Sequence, residues 1–480
     1  MTSRLFVTIM ILFALLGLGL AAEAAELTKD GASAALQKAV GFFRTQVSAE
    51  GGYLWRYSAD LAKREGEGKA SVTTVWVQPP GTPTVGGAYL KAWEETGEPY
   101  LLAAARETAY ALVMGQLESG GWGYRIDFDP ARRKRIMYRK ALRGKKGDNT
   151  STLDDNTTQA ALRYLTRVDK ALDFKDEAIH EAVLYGLEHL LGAQYPNGAW
   201  PQRFTGPPDP AKFPVKKASY PESWSRTWPR KDYKAYYTFN DNTISDTIMT
   251  LFEGAKTYGD ARYSEAAEKA GGFILLAQMP EPQPAWAQQY DADMHPAWAR
   301  KFEPPAVTGG ESHGVIRTLL ALYRETGKAQ YLEPIPRALE YFRRSRLPDG
   351  GLVRFYELET NTPLYFTIDY KLTYSDADMP THYSFKSGWW VDGAQQAYDE
   401  AKKAGPSKGE ASAEKKKPVM SEQLRAQAQA AAGALDERGA WVEEGRLNYQ
   451  DEDDTTARII DCQSFVRNVG VLSRFIAASE

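Results

Sequence analysis

The sequence predicts an all-α fold, an α/α toroid built from repeated helical hairpins with long loop insertions, on three observations. One phrase occurs twice, Thr152-Leu153-Asp154-Asp155-Asn156-Thr157 and Thr238-Phe239-Asn240-Asp241-Asn242-Thr243, and each copy runs straight into apolar spacing of helical period. A unit of helix, short turn, helix and Gly/Trp turn recurs over 89–122, 157–200, 243–286 and 315–353. Incomplete units flank these four, so a final first-type helix can pair with an initial second-type helix and close a ring.

Taken in order, 33–55 reads as a lone second helix ending in Gly51-Gly52-Tyr53-Leu54-Trp55. The first full unit turns at Thr96-Gly97 and ends in Gly120-Gly121-Trp122, and the second ends in Gly198-Ala199-Trp200. The third carries Ile244, Ile248, Leu251 and Phe252 at helical spacing, turns at Thr257-Tyr258-Gly259, and continues through Ala266, Phe273 and Leu276 to Ala285-Trp286. The fourth turns at Thr326-Gly327. A fifth pair spans 387–441, interrupted by a small, charged stretch at 405–418 that lacks apolar spacing and is expected to be a flexible linker. Residues 456–477 (Ile459, Ile460, Phe465, Val469, Leu472) read as a lone first helix. Successive turns lie 67 to 88 residues apart, too long for common solenoid repeats. A repeat spanning nearly all of the 480 residues argues for one domain over 25–480.

Residues 1–24 read as an export signal: Arg4, an apolar run from Leu5 to Leu20, then Ala22-Glu23-Ala24 as a small-residue cleavage site. A single-pass anchor is the alternative, but the run is shorter than the roughly 20 residues a span needs. The mature protein is therefore expected to be secreted or periplasmic, off the membrane and monomeric. With one cysteine, Cys462, no intramolecular disulfide forms, and its place on an apolar helical face suits an inert core thiol. The formal charge of −3 leaves any affinity for a polyanion to local charge. Two insertions supply it. One carries Arg132, Arg133, Lys134, Arg135, Arg139, Lys140, Arg143, Lys145 and Lys146; the other, 203–237, carries Lys216, Lys217, Arg226, Arg230 and Lys231 among Trp224, Trp228, Tyr233, Tyr236 and Tyr237. Each is equally readable as a solvated loop, but the repeat puts both at the end of the ring that holds the Asp-Asn phrases. No nucleic-acid reading motif accompanies them.

The Asp-Asn phrases admit two readings. Asp, Asn and Thr at a helix start can cap free backbone N–H groups, worth about 1 kcal/mol. Clustered carboxylates facing basic insertions are also hard oxygen ligands for Ca²⁺, completed by substrate carboxylates and water. An Asp-Asp-Asn run exceeds what one cap requires.

The phrase Thr152-Leu153-Asp154-Asp155-Asn156-Thr157-Thr158, then Tyr237-Thr238-Phe239-Asn240-Asp241, Pro284-Ala285-Trp286-Ala287-Gln288-Gln289-Tyr290, Trp298-Ala299-Arg300-Lys301-Phe302-Glu303-Pro304-Pro305, Gly310-Glu311-Ser312 and Arg354-Phe355-Tyr356-Glu357-Leu358 occur in the order found in family 10 polysaccharide lyases. Over about 85–370 the chain resembles these pectate lyases of α/α-toroid type. The resemblance implies cleavage of α-1,4-polygalacturonate, the acidic backbone of pectin, by calcium-dependent β-elimination with an Arg as Brønsted base. By motif, Asp154 and Asp241 correspond to calcium ligands or their close supports, with Asp155 and Asn240 beside them toward the substrate. Arg300 matches the base and Arg354 a substrate-binding Arg.

The chemistry suits these residue types. Removing the C5 proton of a uronate puts charge on the C6 carboxylate, which a cation and Arg donors stabilise. A guanidinium is normally permanently charged, so an Arg base needs an electropositive site and alkaline conditions. The chain departs from the family beyond Asn361: Phe366-Thr367-Ile368-Asp369-Tyr370-Lys371 has Ile368 where the family carries a substrate-binding Arg. Lys371 is the candidate replacement, although an ammonium does not reproduce a bidentate fork. Another uronate lyase, a glycan hydrolase with a carboxylic acid/base pair, and a non-catalytic glycan-binding protein stand as rival functions.

Overall fold

The computed structural model describes residues 26–140, 146–406 and 417–479. The expected export signal, Arg143, Lys145 and most of the expected linker lie outside them. The described residues form thirteen helices: α1 (Lys29–Phe42), α2 (Thr82–Thr96), α3 (Pro99–Gly115), α4 (Pro130–Arg133), α5 (Thr157–Ala171), α6 (Glu177–Gly192), α7 (Thr243–Tyr258), α8 (Ala261–Leu276), α9 (Gly309–Thr326), α10 (Ile335–Arg344), α11 (Val391–Ala404), α12 (Glu422–Gly433) and α13 (Cys462–Ala478). Apart from the single-turn α4 they alternate in chain order as first- and second-type helices: α2/α3, α5/α6 and α7/α8 pack as hairpins, α9/α10 and α11/α12 follow in the same order with α9 packed on α11 and α12 on α13, and α13 packs on α1 to join the chain ends.

Each Gly/Trp turn is fixed in the same way. The indoles of Trp122, Trp200, Trp286 and Trp441 are buried, and donate to the carbonyls of Leu112, Leu190, Ile274 and Ala431 at 2.8–2.9 Å, satisfying late acceptors of the preceding helix. In three of these turns the preceding glycine, Gly120, Gly198 or Gly439, presses on the next second-type helix. A Cβ on Gly198 would come within 2.2 Å of Lys269 O on α8, and one on Gly439 within 2.7 Å of Lys38 O on α1. Both glycines also have positive φ, which L side chains resist.

The last of these contacts closes the ring. Helix α13 packs on α1 and α2, the Phe43 and Phe465 rings stack, and Arg56–Ser58 pairs antiparallel with Arg458–Asp461. The toroid is therefore as expected, completed by the pairing of its two ends. First-type helices line a central cavity of about 1630 Å³ with Lys91, Arg163, Met249 and Ala477 among its walls.

One expectation needs correcting. Helix α2 begins at Thr82, not near Tyr89, because Pro83 and the Gly86-Gly87 pair resemble a loop in sequence. Pro83 is tolerated in the first turn, and Gly86 makes room for the Tyr164 ring, whose Cζ would lie 2.3 Å from an added Cβ. The insertions also carry short antiparallel ladders beside the helices. Ser151–Thr152 pairs with Arg203–Phe204, Tyr237–Thr238 with Gln289–Tyr290, and Ala306–Thr308 with Phe355–Glu357, each joining the entry of a first-type helix to the segment after that unit's closing turn.

The first basic insertion is pinned to the body. Arg132 pairs with Asp127 at 2.8 Å, buried Arg133 donates to Met114 O at 2.6 Å, and Arg139 and Lys140 both engage Glu181. These charges are spent on structure. Cys462 is buried as expected, and among the described residues no helix is long and apolar enough to cross a membrane.

Candidate active site

Both Asp-Asn phrases fold into the same irregular turn. Asp155 and Asn156 have φ of 49° and 59°, and Asp241 and Asn242 have 48° and 59°, left-handed conformations that Asp and Asn adopt more readily than other side chains. The first threonine of each phrase accepts the N–H two residues on, Asp154 N to Thr152 Oγ1 at 3.2 Å and Asn240 N to Thr238 Oγ1 at 3.0 Å. Backbone Leu153 N and Phe239 N donate across the ladders to Gln202 O and Gln288 O, both at 2.8 Å. No side chain of either phrase caps its helix: Asn156 and Asn242, at the N-cap positions of α5 and α7, make no capping bond. The turn aims its side chains elsewhere.

They converge. Carboxylate oxygens of Asp154, Asp155 and Asp241 lie within 4.8 Å of one another. Asp154 Oδ2 accepts from the Tyr124 hydroxyl at 2.5 Å, while Oδ1 is buried without a partner. Asp155 Oδ2 accepts from Gln78 Nε2 at 2.9 Å. Asn240 is buried, donates its amide to Asp241 Oδ2, and leaves Oδ1 unpartnered. Burial first, then the neighbouring aspartates, push the Asp241 carboxyl well above the usual range. Asp155 is pushed up to about 6 by burial, Asp154 and Glu67, with Arg300 opposing. Repelling carboxylates beside orphaned carbonyl and carboxylate oxygens form a hard-oxygen donor set that fits Ca²⁺.

Two arginines stand against this group, each held by a buried glutamate. Arg300 donates from Nε and Nη2 to Glu303 at 2.9 and 2.6 Å. Burial works against its charge, but the Glu303 bonds outweigh it and hold the guanidinium above its ordinary value. Arg354 donates from Nη2 to Glu311 Oε1 at 2.7 Å. Tyr383 ties the pairs together: its hydroxyl donates to Glu303 Oε1 at 3.0 Å, and its ring centroid lies 4.4 Å from Arg354 Cζ and 5.7 Å from Arg300 Cζ. A cavity of about 230 Å³ between Asp241, Glu311 and Arg354 opens beside them.

The second insertion is clamped over Arg300 by two reciprocal bonds, Trp228 Nε1 to Ala299 O and Trp298 Nε1 to Ser225 O, both 2.8 Å. Arg226 pairs with Glu357 at 2.6 Å. Lys371 sits exposed on the hairpin of Pro363–Phe366 and Leu372–Thr373, with no hydrogen bond or ion pair to the three aspartates. Thus Asp154, Asp155, Asn240, Asp241, Arg300 and Arg354 come together, and Lys371 does not join them. Sequence reasoning missed Gln78, Tyr124, Arg203, Glu311 and Tyr383 as site residues. Glu303 and Glu311 lay inside recognised motifs, while Gln78 and Tyr383 carried no signal.

Residues 116–349 match the model of the pectic acid lyase family, in keeping with the motifs in the sequence, and the protein is a polysaccharide lyase. Among solved structures the chain is similar to a family 10 polysaccharide lyase from Cellvibrio cellulosa, at 21% identity over 62% of this chain and 90% of that one, with a TM-score of 0.45. A mutant of that enzyme in complex with trigalacturonic acid matches at 21% identity over 67% and 98% of the two chains, with a TM-score of 0.46. A D-mannose isomerase matches at 14% identity over 95% and 99%, with a TM-score of 0.44. No curated protein matches the chain.

Proposed function

We propose that the protein is an exported, monomeric pectate lyase that cleaves α-1,4-polygalacturonate by calcium-dependent β-elimination. The observation that carries this reading is the meeting of Asp154, Asp155 and Asp241 with the Arg300–Glu303 and Arg354–Glu311 pairs, most of it within a segment of pectic acid lyase pattern. Asp154 and Asp241 would hold Ca²⁺, with Asp155 and the free Oδ1 atoms of Asp154 and Asn240 completing the oxygen set. When bound, the cation supplies positive charge beside the uronate C6 carboxylate, where negative charge develops.

The residues divide the remaining work. Arg354 and Asp155 orient the sugar, and Lys371 approaches it from the exposed hairpin. Arg300 is the Brønsted base at C5. Its Nε and Nη2 are spent on Glu303, which leaves Nη1 for the sugar. As the C5–H bond breaks, its electron pair forms the C4–C5 double bond, the C4–O4 bond breaks, and O4 takes a proton. The Glu303 pair disfavours neutral Arg300, so the base reading calls for alkaline pH.

The test is purified protein on polygalacturonate with calcium or chelator, followed by ultraviolet absorbance of the unsaturated product from neutral to alkaline pH. The expected result is calcium-dependent absorbance that rises with pH. New reducing ends without absorbance would make it a hydrolase, and binding without cleavage would make it a glycan-binding protein.

A further inference from the structure

Arg203 holds the place in its repeat that Gln289 holds in the next. Each pairs across a two-residue ladder with the first threonine of an Asp-Asn phrase, Arg203 with Thr152 and Gln289 with Thr238. Gln289 spends its amide on the carbonyl of Ala297 at 2.9 Å. Arg203 has no such outlet. Its Nε is buried without a partner, and one long bond of 3.4 Å joins Nη2 to the Tyr124 hydroxyl. Among the described residues it has no carboxylate partner, in contrast to Arg300 and Arg354.

Its surroundings place it at the site. The guanidinium lies 5.6 Å from the Tyr124 ring centroid, and that tyrosine gives its own proton to Asp154. Tyr233, from the clamped insertion, has its phenol raised first by burial, with the charges of Glu303, Arg300, Asp154 and Arg203 all acting on it as well. Leaving a guanidinium donor unsatisfied at a half-buried position costs free energy unless a ligand completes it. The planar fork matches a carboxylate.

We infer that Arg203 binds a uronate carboxylate of the substrate, at a subsite on the Asp154 side of the aspartate group and away from Arg354. The inference rests on the proposed function and deepens it. Arg203 selects a de-esterified residue at its subsite, and restores to the chain a guanidinium of the kind that Ile368 removes elsewhere.

The test compares Arg203→Gln and Arg203→Lys with the natural chain on polygalacturonate and on highly methyl-esterified pectin, alongside calcium titration and thermal unfolding in chelator. Arg203→Gln should raise KM on polygalacturonate by about tenfold or more, the worth of a charge-assisted bond. Its kcat, calcium affinity and chelated Tm should stay close to those of the natural chain, and its KM on esterified pectin should change much less. Arg203→Lys should recover part of the loss. An unchanged KM, an equal rise on both substrates, or a loss that tracks calcium affinity through Tyr124 and Asp154 would overturn the inference while the natural chain remains a pectate lyase. A natural chain that neither cleaves nor binds polygalacturonate would overturn the proposed function itself.

Discussion

Arg300 and Glu303 face each other as fork and carboxylate, with the Arg300 backbone N–H adding a third bond to Glu303 Oε2 at 3.0 Å. Glu303 is almost wholly buried at 2% exposure, and Arg300 is open to solvent at 42%. The pair therefore fixes the guanidinium from beneath and leaves one nitrogen to the substrate side, while raising the guanidinium pKa.

Replacing Glu303 with Gln should lower the Arg300 pKa, so a rate limited by neutral Arg300 should begin its alkaline rise at lower pH. Thermal stability should fall as well, by less than the ~3–5 kcal/mol of a broken fully buried pair, because Arg300 is solvated. Arg300→Lys should reduce kcat by at least about 10²-fold with calcium affinity intact. A raised KM at constant kcat would make Arg300 a substrate clamp, and an unmoved pH profile in Glu303→Gln would separate that pair from the proton step.

Calcium should stabilise the natural chain by mass action, by about 2.7 kcal/mol at a hundred times Kd, seen as a rise in Tm over chelated protein. Asp154→Ala and Asp241→Ala should lose both this rise and the activity while remaining folded in chelator. Neither side chain caps a helix, so neither substitution removes a cap. A full calcium-induced rise in both variants would place the cation elsewhere.

Part of this site was legible because it is written twice. The recurrence of Thr-x-x-Asp-Asn-Thr marks two left-handed turns, and a repeat puts equivalent turns at one end of a ring. What the sequence left open was which side chains the ring delivers from far away. Gln78 reaches Asp155 across 77 positions, and Tyr383 reaches Glu303 across 80. Those contacts depend on how insertions fold back, which no local period encodes. The run of basic residues before Asp154 misled because its charges find structural partners: Asp127 stands five residues before Arg132, and Glu181 reaches Arg139 from α6.

In chelator, pH should act on stability through the raised aspartates. A carboxyl whose folded pKa exceeds its unfolded value, about 3.9 for Asp, binds more protons in the folded state, so stability falls as pH rises through that interval. For Asp155 the interval ends near 6, and for Asp241 the shift has the same sign. Chelated protein should lose stability from about pH 4 upward through this range, and Asp241→Asn should flatten the loss. Excess calcium should reverse the trend, because deprotonation favours cation binding. A chelated Tm that climbs across this interval in the natural chain, with no change in Asp241→Asn, would contradict the repulsion described for the cluster.

Gln78 should govern Asp155. The Trp76 indole donates to Gln78 Oε1 at 2.9 Å, which obliges the amide nitrogen to point at Asp155, and the Trp55 indole holds the Gln78 carbonyl at 3.0 Å. Gln78→Met removes the donor at similar volume. It should weaken calcium binding about 10–100-fold, the usual effect of losing a partner behind a metal ligand, and saturating calcium should restore kcat. A lowered Tm in chelator with unaltered calcium affinity would reduce Gln78 to a packing role.

Ile368 tests whether the chain's departure from the family has a consequence for substrate choice. The residue is 60% exposed on the hairpin whose Tyr370 ring packs against Phe302, 5.7 Å between centroids, and lies under the Lys301 ammonium at 3.4 Å. That hairpin therefore borders the segment carrying Arg300. An apolar side chain there offers nothing to a uronate carboxylate and tolerates a methyl ester, whereas Arg would favour the free acid. Ile368→Arg should raise the rate on fully de-esterified polygalacturonate and lower the relative rate on partly esterified pectin, with little effect on stability at so exposed a position. Equal rates on both substrates before and after the change would put residue 368 beyond the reach of the bound sugar, and would leave Arg354 and Lys371 as the cations to vary next.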